Sequence, residues 1–248
     1  MSGRPAMSRA QRATATGLLA IALWSSIVGL IRSVSQGLGA TGGAAMIYTV
    51  ASVLLLATVG LGDIRAFPRR YLLLGGALFV SYELCLALSI GYAATDRQAI
   101  EVGMVNYLWP ALTMAFAILF NGQPSSPWIV PGVGLALLGV CRVLGGEQGL
   151  DPAAVLANVR SNPLSYGLAF AGALIWSTYC TVTARIAEGR NGVTLFFILT
   201  ALALWLNYLA FGGAPMAFDC ARPCAWHWPR PRWASATRRG MSASCTAT

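Results

Sequence analysis

Long apolar runs separated by short polar breaks make up most of this chain. A helix needs about 20 apolar residues to cross a hydrocarbon core, and runs of that length begin near residues 13, 41, 71, 98, 127, 163 and 192. Between them stand QGLGATGG, GDIRAFPRR, TDRQ, NGQPSSP, GGEQGLDP and EGRNG, stretches rich in the Gly, Pro, Asn, Asp and Ser that end helices. The pattern predicts seven membrane-spanning helices joined by short connections, an all-α polytopic membrane protein. The first run follows Arg4, Arg9 and Arg12 as the core of a signal peptide would, but it is longer than such a core and six more runs follow. It reads as a retained first helix.

Composition agrees: 56% of the 248 residues are hydrophobic and 10% charged, and the mean hydropathy of +0.64 lies far from soluble averages. The 17 basic residues are all arginine, against eight acids. On a membrane protein such an excess reports orientation and headgroup contact rather than nucleic-acid binding. Arg4, Arg9 and Arg12, with Arg65, Arg69 and Arg70 in the second connection, place the N-terminus in the cytoplasm. The opposite connections carry Asp96 with Arg97, and Glu147 and Asp151 with Arg160. Arg32 and Arg142 are expected to snorkel outward or to pair with a carboxylate. Cys85, Cys141 and Cys180 fall within apolar runs, where a thiol reads as a small buried hydrophobe. The absence of lysine excludes a retinal Schiff base. The runs contain no HExxH motif and no Ser/His pair, which argues against an intramembrane enzyme, and no motif calls for a cofactor.

An internal repeat appears when GLLAIALWSS (17–26) is laid over AFAGALIWST (169–178), matching Trp24 with Trp176 and Ser25 with Ser177. The same offset superposes the second run on the seventh. Five helices separate the copies, so they enter the membrane from opposite sides and the repeat is inverted. Many secondary transporters follow that plan, with the substrate near the midplane where the halves meet. Most membrane tryptophans sit in interfacial belts. Trp24 and Trp176 lie mid-span, which points to a cavity or gate; the alternative is simple helix packing.

Glu83 stands in the middle of the third run, where a carboxylate costs roughly 2.5–3.5 kcal/mol. It is a candidate to bind a substrate ammonium or carry a proton; the alternative is a protonated carboxyl hydrogen-bonded inside the bundle. Tyr82, Cys85, Ser89 and Tyr92 share one helix face, a stripe unsuited to lipid. The fourth run carries Glu101, readable as a helix-start carboxylate, then VNYLWPALT, with Asn106, Trp109 and Thr113 on one face and Pro110 predicted to kink the helix beside a cavity. PGVGLALLG (131–139) lacks the preceding strand of a nucleotide-binding loop, so close helix packing through Gly132 and Gly139 is expected.

On the stretch LFVSYELCLALSIGYAATDRQAIEVGMVNYLWPALTMAFAILFNGQ (78–123), with LIWSTYCTVT (174–183), the chain resembles the bacterial aromatic amino acid exporters of the drug/metabolite transporter superfamily (EamA-type), from about residue 12 to 211. The resemblance implies an inner-membrane fold of two inverted five-helix halves, working by alternating access on phenylalanine, tyrosine, tryptophan and related compounds. It further implies a substrate cavity at Tyr82, Glu83, Asn106, Tyr107 and Trp109, and a gate or midplane set of Trp24, Ser25, Trp176 and Ser177. Export of another small metabolite or drug is the alternative within the superfamily.

Ten helices are implied and seven are found. The expected organisation is a cytoplasmic segment 1–12, a first five-helix repeat 13–145, two helices of the second repeat 163–211, and a tail 212–248. The tail holds three of the six cysteines, the lone histidine and five arginines, but no Leu, Ile or Val. Cys220, Cys224 and His227 lack a fitting fourth zinc ligand. Arg230, Arg232, Arg238 and Arg239, with Trp226, Trp228 and Trp233, would suit headgroups or nucleic acid. The favoured reading is translation in a shifted frame. From Pro231 onward, the third base of each codon read with the next two permits ALGFGYAAWNVGILHGN; the triplet starting in the codon of Trp233 is forced to glycine and that starting in the codon of Met241 to valine or glutamate, which the string's glycine and valine satisfy. The string resembles an eighth helix. The expectation is that a chain without helices eight to ten does not transport and leaves Tyr82 and Glu83 facing lipid.

Overall fold

A computed structural model describes residues 25–211 continuously, together with residues 14, 15, 17–19, 22 and 216. Trp24 and the tail motifs lie outside the described residues, so the gate assigned to Trp24 and the readings of the tail gain no structural account. All the described residues belong to one compact unit.

Nine α-helices and no strand occur among the described residues: α1 (Ile27–Leu38), α2 (Ala40–Thr58), α3 (Gly76–Gly91), α4 (Asp96–Asn106), α5 (Trp109–Asn121), α6 (Ile129–Leu144), α7 (Pro152–Ser161), α8 (Pro163–Ile186) and α9 (Val193–Ala210). Among the same residues, five segments are long and apolar enough to cross a membrane: α2, Tyr71–Gly91, Asp96–Asn121, α8 and α9. The apolar helices α1 and α6 are shorter. The protein is a multi-pass membrane protein.

The seven expected runs correspond to this order, with two local differences. Residues 152–161, expected to be connection, form α7. Asp151 caps it by accepting the Ala153 N–H at 3.0 Å, and Pro152 supplies a first residue whose missing N–H costs nothing there. The fourth run is broken rather than kinked. α4 stops at Asn106, Tyr107 and Leu108 turn, and α5 begins at Trp109. Pro110 offers no N–H to the Asn106 carbonyl, so one helix ends and another starts with proline in its first turn.

The α1–α2 connection is one residue, Gly39, at φ +76°, a conformation that L side chains rarely adopt. Where α3 ends, a Cβ on Gly91 would stand 2.9 Å from the Ala40 Cα, so glycine lets the start of α2 close against α3. Ala44, Ala45 and Ala87 are fully buried at the meeting of α2, α3 and α9, the small-residue contact by which membrane helices approach. Gly132 and Gly139 behave otherwise: a Cβ at either meets nothing within 4 Å, so the expected packing through them is absent among the described residues. Cys141 is exposed, while Cys85 and Cys180 are half-buried, which limits the buried-thiol expectation to the latter two.

Polarity runs inside out. Leu54, Leu73, Leu119, Phe120, Leu206 and Leu209 point outward, whereas Ser89, Asn106, Ser165, Ser177, Thr181 and Thr200 are buried. Inside the bundle, hydroxyls return hydrogen bonds to carbonyls one turn back: Ser52 to Tyr48, Thr181 to Ser177 and Thr200 to Phe196. A polar group in lipid has no water to fall back on.

Cross-links pin the two ends of the bundle. At one end Tyr71 accepts the Gly192 N–H at 3.0 Å, and Asn121 and Arg185 join α5 to α8 through the Thr181 and Phe120 carbonyls. At the other, Asn162 donates to the Tyr92 carbonyl at 2.9 Å and Ser165 to the Ser89 carbonyl. The first end carries Arg65, Arg69, Arg70, Arg185 and Arg190 against Asp63 and Glu188. The second has Arg32, Arg97, Arg142 and Arg160 against Asp96, Glu101, Glu147 and Asp151.

Candidate functional site

The region that unites most of the sequence-predicted residues lies where α3 and the α4–α5 junction meet α8. Trp176, on α8, is its centre. The indole stacks on Tyr179 with centroids 4.9 Å apart and 21° between planes, and lies 4.4 Å from the Tyr82 ring. Phe79 and Trp109 meet it edge-on at 5.9 and 6.4 Å. Offset and edge contacts of this kind match the electrostatics of aromatic faces. Phe79 extends the cluster to Phe196 and Phe197 of α9 at 5.5 and 5.6 Å.

Polar atoms edge this aromatic box. Asn106, 5% exposed, donates from Nδ2 to the Tyr82 hydroxyl at 3.4 Å. Its Oδ1 sits against Gly172, where a Cβ would approach to 3.2 Å. The break before Pro110 also puts backbone to use, because Ser177 donates to the Trp109 carbonyl at 3.0 Å as well as to Ala173 at 2.7 Å. Two buried side-chain atoms here have no hydrogen-bond partner among the described residues: the acceptor Asn106 Oδ1 and the donor Trp176 Nε1. Buried polar groups are almost always paired. An orphan donor and an orphan acceptor thus stand beside one aromatic box.

Glu83 is next to Tyr82 in sequence but turns to the other side of α3. It is 8% exposed and accepts from the Tyr48 hydroxyl of α2 at 2.5 Å; the Tyr48 ring lies 5.5 Å from Phe197. The ion pairs among the described residues are Arg32–Asp96 and Arg97–Glu101, so no arginine among them pairs with Glu83. Neither Tyr82 nor Glu83 faces lipid, contrary to expectation, because α8 covers the first, and α2 with α9 the second. Tyr107 is also separated from the box. It is 43% exposed and lines a groove between α1 and α4 together with Ser25, whose hydroxyl returns to the Ala22 carbonyl at 2.8 Å.

Tyr48, Tyr166 and Tyr179 escaped the sequence reading. Tyr166 donates to Glu101 at 2.5 Å, and Arg97 reaches the other oxygen of that carboxylate at 3.2 Å. Glu101 is thus a buried tie between α4 and α8 rather than a simple helix-start carboxylate. Of the arginines expected to snorkel or pair, Arg32 pairs with Asp96 at 2.9 Å, and Arg142 binds the Gly146 carbonyl near its own helix end.

Comparison with known proteins gives the following. The chain is 64% identical over 209 residues to the aromatic amino acid exporter YddG of Salmonella typhimurium (strain 14028s / SGSC 2262), and 59% identical over 209 residues to that of Escherichia coli K12. Each match covers 84% of this chain and 71% of the relative. The aromatic amino acid exporter YddG of Ancylobacter novellus is 30% identical over 207 residues, covering 80% of this chain and 67% of that protein. No protein-family model matches the chain, and no solved structure does so significantly.

Proposed function

Because the chain belongs to the family of the aromatic amino acid exporter YddG, we propose that it is built as a transporter, not an enzyme, on the plan that takes phenylalanine, tyrosine and tryptophan out across the bacterial inner membrane, and that the chain as written binds these substrates without carrying them across. The observation that carries this is the box of Tyr82, Trp109 and Trp176 with its two unpartnered polar atoms. The substrate ring lies against these side chains, each good aromatic contact adding about 0.5–1.5 kcal/mol. The Asn106 Oδ1 accepts from the ammonium, and the Trp176 Nε1 donates to the carboxylate. Ser177 holds the Trp109 carbonyl and so fixes the wall of the box.

The remaining assignments complete the reading. The arginine excess at the α2–α3 and α8–α9 end supports a cytoplasmic N-terminus. Residues 13–145 form one five-helix half and 163–211 begin an inverted second half, with Trp24, Ser25, Trp176 and Ser177 at repeat-related positions near the midplane. In the complete plan of two halves, exchange between inward-open and outward-open states alternates access to the box. Glu83 lies outside it and bonds Tyr48, which supports a role in holding α2 to α3 rather than contact with the substrate.

Equilibrium binding of tritiated phenylalanine to the purified 248-residue protein in detergent tests the proposal. Tyrosine and tryptophan are expected to compete and leucine to compete at least about tenfold more weakly. Equal competition by leucine, or binding unchanged in a Trp109→Ala/Trp176→Ala variant that remains folded, would overturn it.

A further inference from the structure

The groove between α1 and α4 takes no part in the aromatic box. It encloses about 490 Å³, within the range of small-molecule pockets, and lies towards the end of the bundle opposite Arg65, Arg69 and Arg70. Val28, Ile100 and Met104 line it, with the exposed ring of Tyr107. A Cβ on Gly29 would meet nothing within 4 Å, so that wall is open. One ion pair, Arg32–Asp96, stands in this slot, with Ser25, Ser33 and Gln36 as its other polar lining.

The pair is arranged for exchange. The Arg32 side chain is 16% exposed and that of Asp96 77%. Arg32 spends Nε on Asp96 Oδ1 and Nη1 on the Ala93 carbonyl at 2.6 Å. Gln36 reaches the same Asp96 Oδ1 at 2.7 Å. Arg32 Nη2 and Asp96 Oδ2 therefore have no partner among the described residues. Asp96 is the wet half of the pair, so water screens its hold on the largely buried Arg32, and Arg32 stays anchored on the Ala93 carbonyl when Asp96 swings away. A guanidinium fork is moreover well shaped for a carboxylate.

We propose that this groove is a second amino-acid subsite: Arg32 takes the carboxylate, Asp96 takes the ammonium, and the aromatic side chain lies between Val28, Ile100, Met104 and the Tyr107 ring. This rests on the reading of the protein as an aromatic amino acid transporter. Tyr107 stands in the two-residue turn between the helix that carries Asn106 and the helix that begins at Trp109. The groove and the box thus lie on either side of one broken span, and the subsite is a station between the box and that end of the bundle.

The experiment uses the full chain in detergent with tritiated phenylalanine, and two competitors that each lack one charge: phenethylamine, without the carboxylate, and 3-phenylpropanoate, without the ammonium. Two binding equivalents are expected for the unmodified protein. R32Q should weaken phenylalanine at the weaker one about tenfold, the loss of a charge-assisted hydrogen bond, and should let phenethylamine compete there as well as phenylalanine. D96N should do the same for 3-phenylpropanoate. Either substitution breaks the ion pair equally, so a purely structural role cannot produce these opposite preferences. Should R32Q fail to fold by thermal unfolding, the D96N arm and the competition on the unmodified protein decide alone. A single equivalent, or two that neither variant changes, overturns the subsite while leaving the transporter reading intact; no phenylalanine binding at all overturns both. Displacement of the weaker equivalent by phosphatidylethanolamine added to the micelles, with no reciprocal preference in the variants, would assign the groove to lipid and overturn the proposal.

Discussion

Replacing Trp176 by phenylalanine separates recognition from packing. The indole Nε1–H is buried and unpartnered among the described residues, and an unsatisfied buried donor costs about 1–3 kcal/mol. Removing it relieves that cost. The smaller ring forfeits apolar contact with Tyr82, Tyr179 and Phe79, and ~40 Å² lost at about 25 cal/mol per Å² amounts to about 1 kcal/mol. The two effects nearly cancel, so the melting temperature of the ligand-free protein should shift by less than about 5 °C. Binding has no such compensation. Losing a hydrogen bond to a carboxylate removes about 1.5–3 kcal/mol, a decrease of roughly 10- to 150-fold in phenylalanine affinity. The assays are thermal unfolding followed by size-exclusion, and scintillation-proximity binding on the same preparation. Trp176→Ala is the contrast: it loses all four ring contacts, at about 0.5–1.5 kcal/mol each, and should fall in both assays. Full phenylalanine affinity in a folded Trp176→Phe variant would refute the assignment of the orphan donor to the substrate.

Three further outcomes follow from particular contacts. Tyr48→Phe leaves the buried Glu83 carboxyl without its hydroxyl partner and should cost about 1–3 kcal/mol. Tyr48→Phe/Glu83→Leu should recover part of this in thermal unfolding, and a double variant less stable than the single would disprove the pairing. Gly91→Ala places a methyl against Ala40 and should destabilise by about 1–3 kcal/mol, whereas Gly132→Ala enters open space and should be neutral or up to about 1 kcal/mol stabilising; equal melting shifts for the two would refute the close approach of α2 and α3. Asn106→Leu should weaken phenylalanine binding about tenfold by removing the Oδ1 acceptor, measured in the same binding assay, and an unchanged affinity would exclude Asn106 from ammonium recognition.

The spans were legible because hydrophobic length and glycine–proline punctuation are local signals, and α2, α8 and α9 fall within the runs expected for them. Asn106 was legible as a candidate because polar side chains mid-span are expensive in lipid, Trp176 because membrane tryptophans usually sit at the interfaces, and Tyr82 and Trp109 because each shares a helix face with polar residues. Their meeting is set by how α3, α5 and α8 pack, which spacing along one helix cannot report. The same limit explains Glu83 and Tyr107. Each is adjacent to a member of the box, yet Glu83 turns about 100° away from Tyr82 around α3, and Tyr107 follows the turn that Pro110 enforces. α7 was hidden because its ten residues are too short to register as a span, although Asp151-Pro152 is a recognisable helix start. Tyr48, Tyr166 and Tyr179 carried no signal of their own, since tyrosine is ordinary in membrane helices until a carboxylate or an indole is found beside it.

The third span opens with a π-helical turn, Tyr71–Gly75, before the α-helix that carries Phe79, Tyr82 and Glu83. Such a turn holds one residue more than an α-helical turn, and each residue turns the helix by about 100°. The π turn therefore sets the rotation of everything after it, and it decides that Tyr82 rather than Glu83 meets Trp176. It also makes this stretch the place in the third span where the chain can lose a residue and keep its bearings. A single deletion within Leu72–Leu74 lets the turn tighten to an ordinary α-turn while Tyr82 stays in the box. The same deletion between Ala77 and Ser81 would swing Tyr82 and Glu83 round the helix together. Insertion and deletion tolerance along this span is thus written as a position, and evolutionary length variation has one place to enter it without disturbing the aromatic wall.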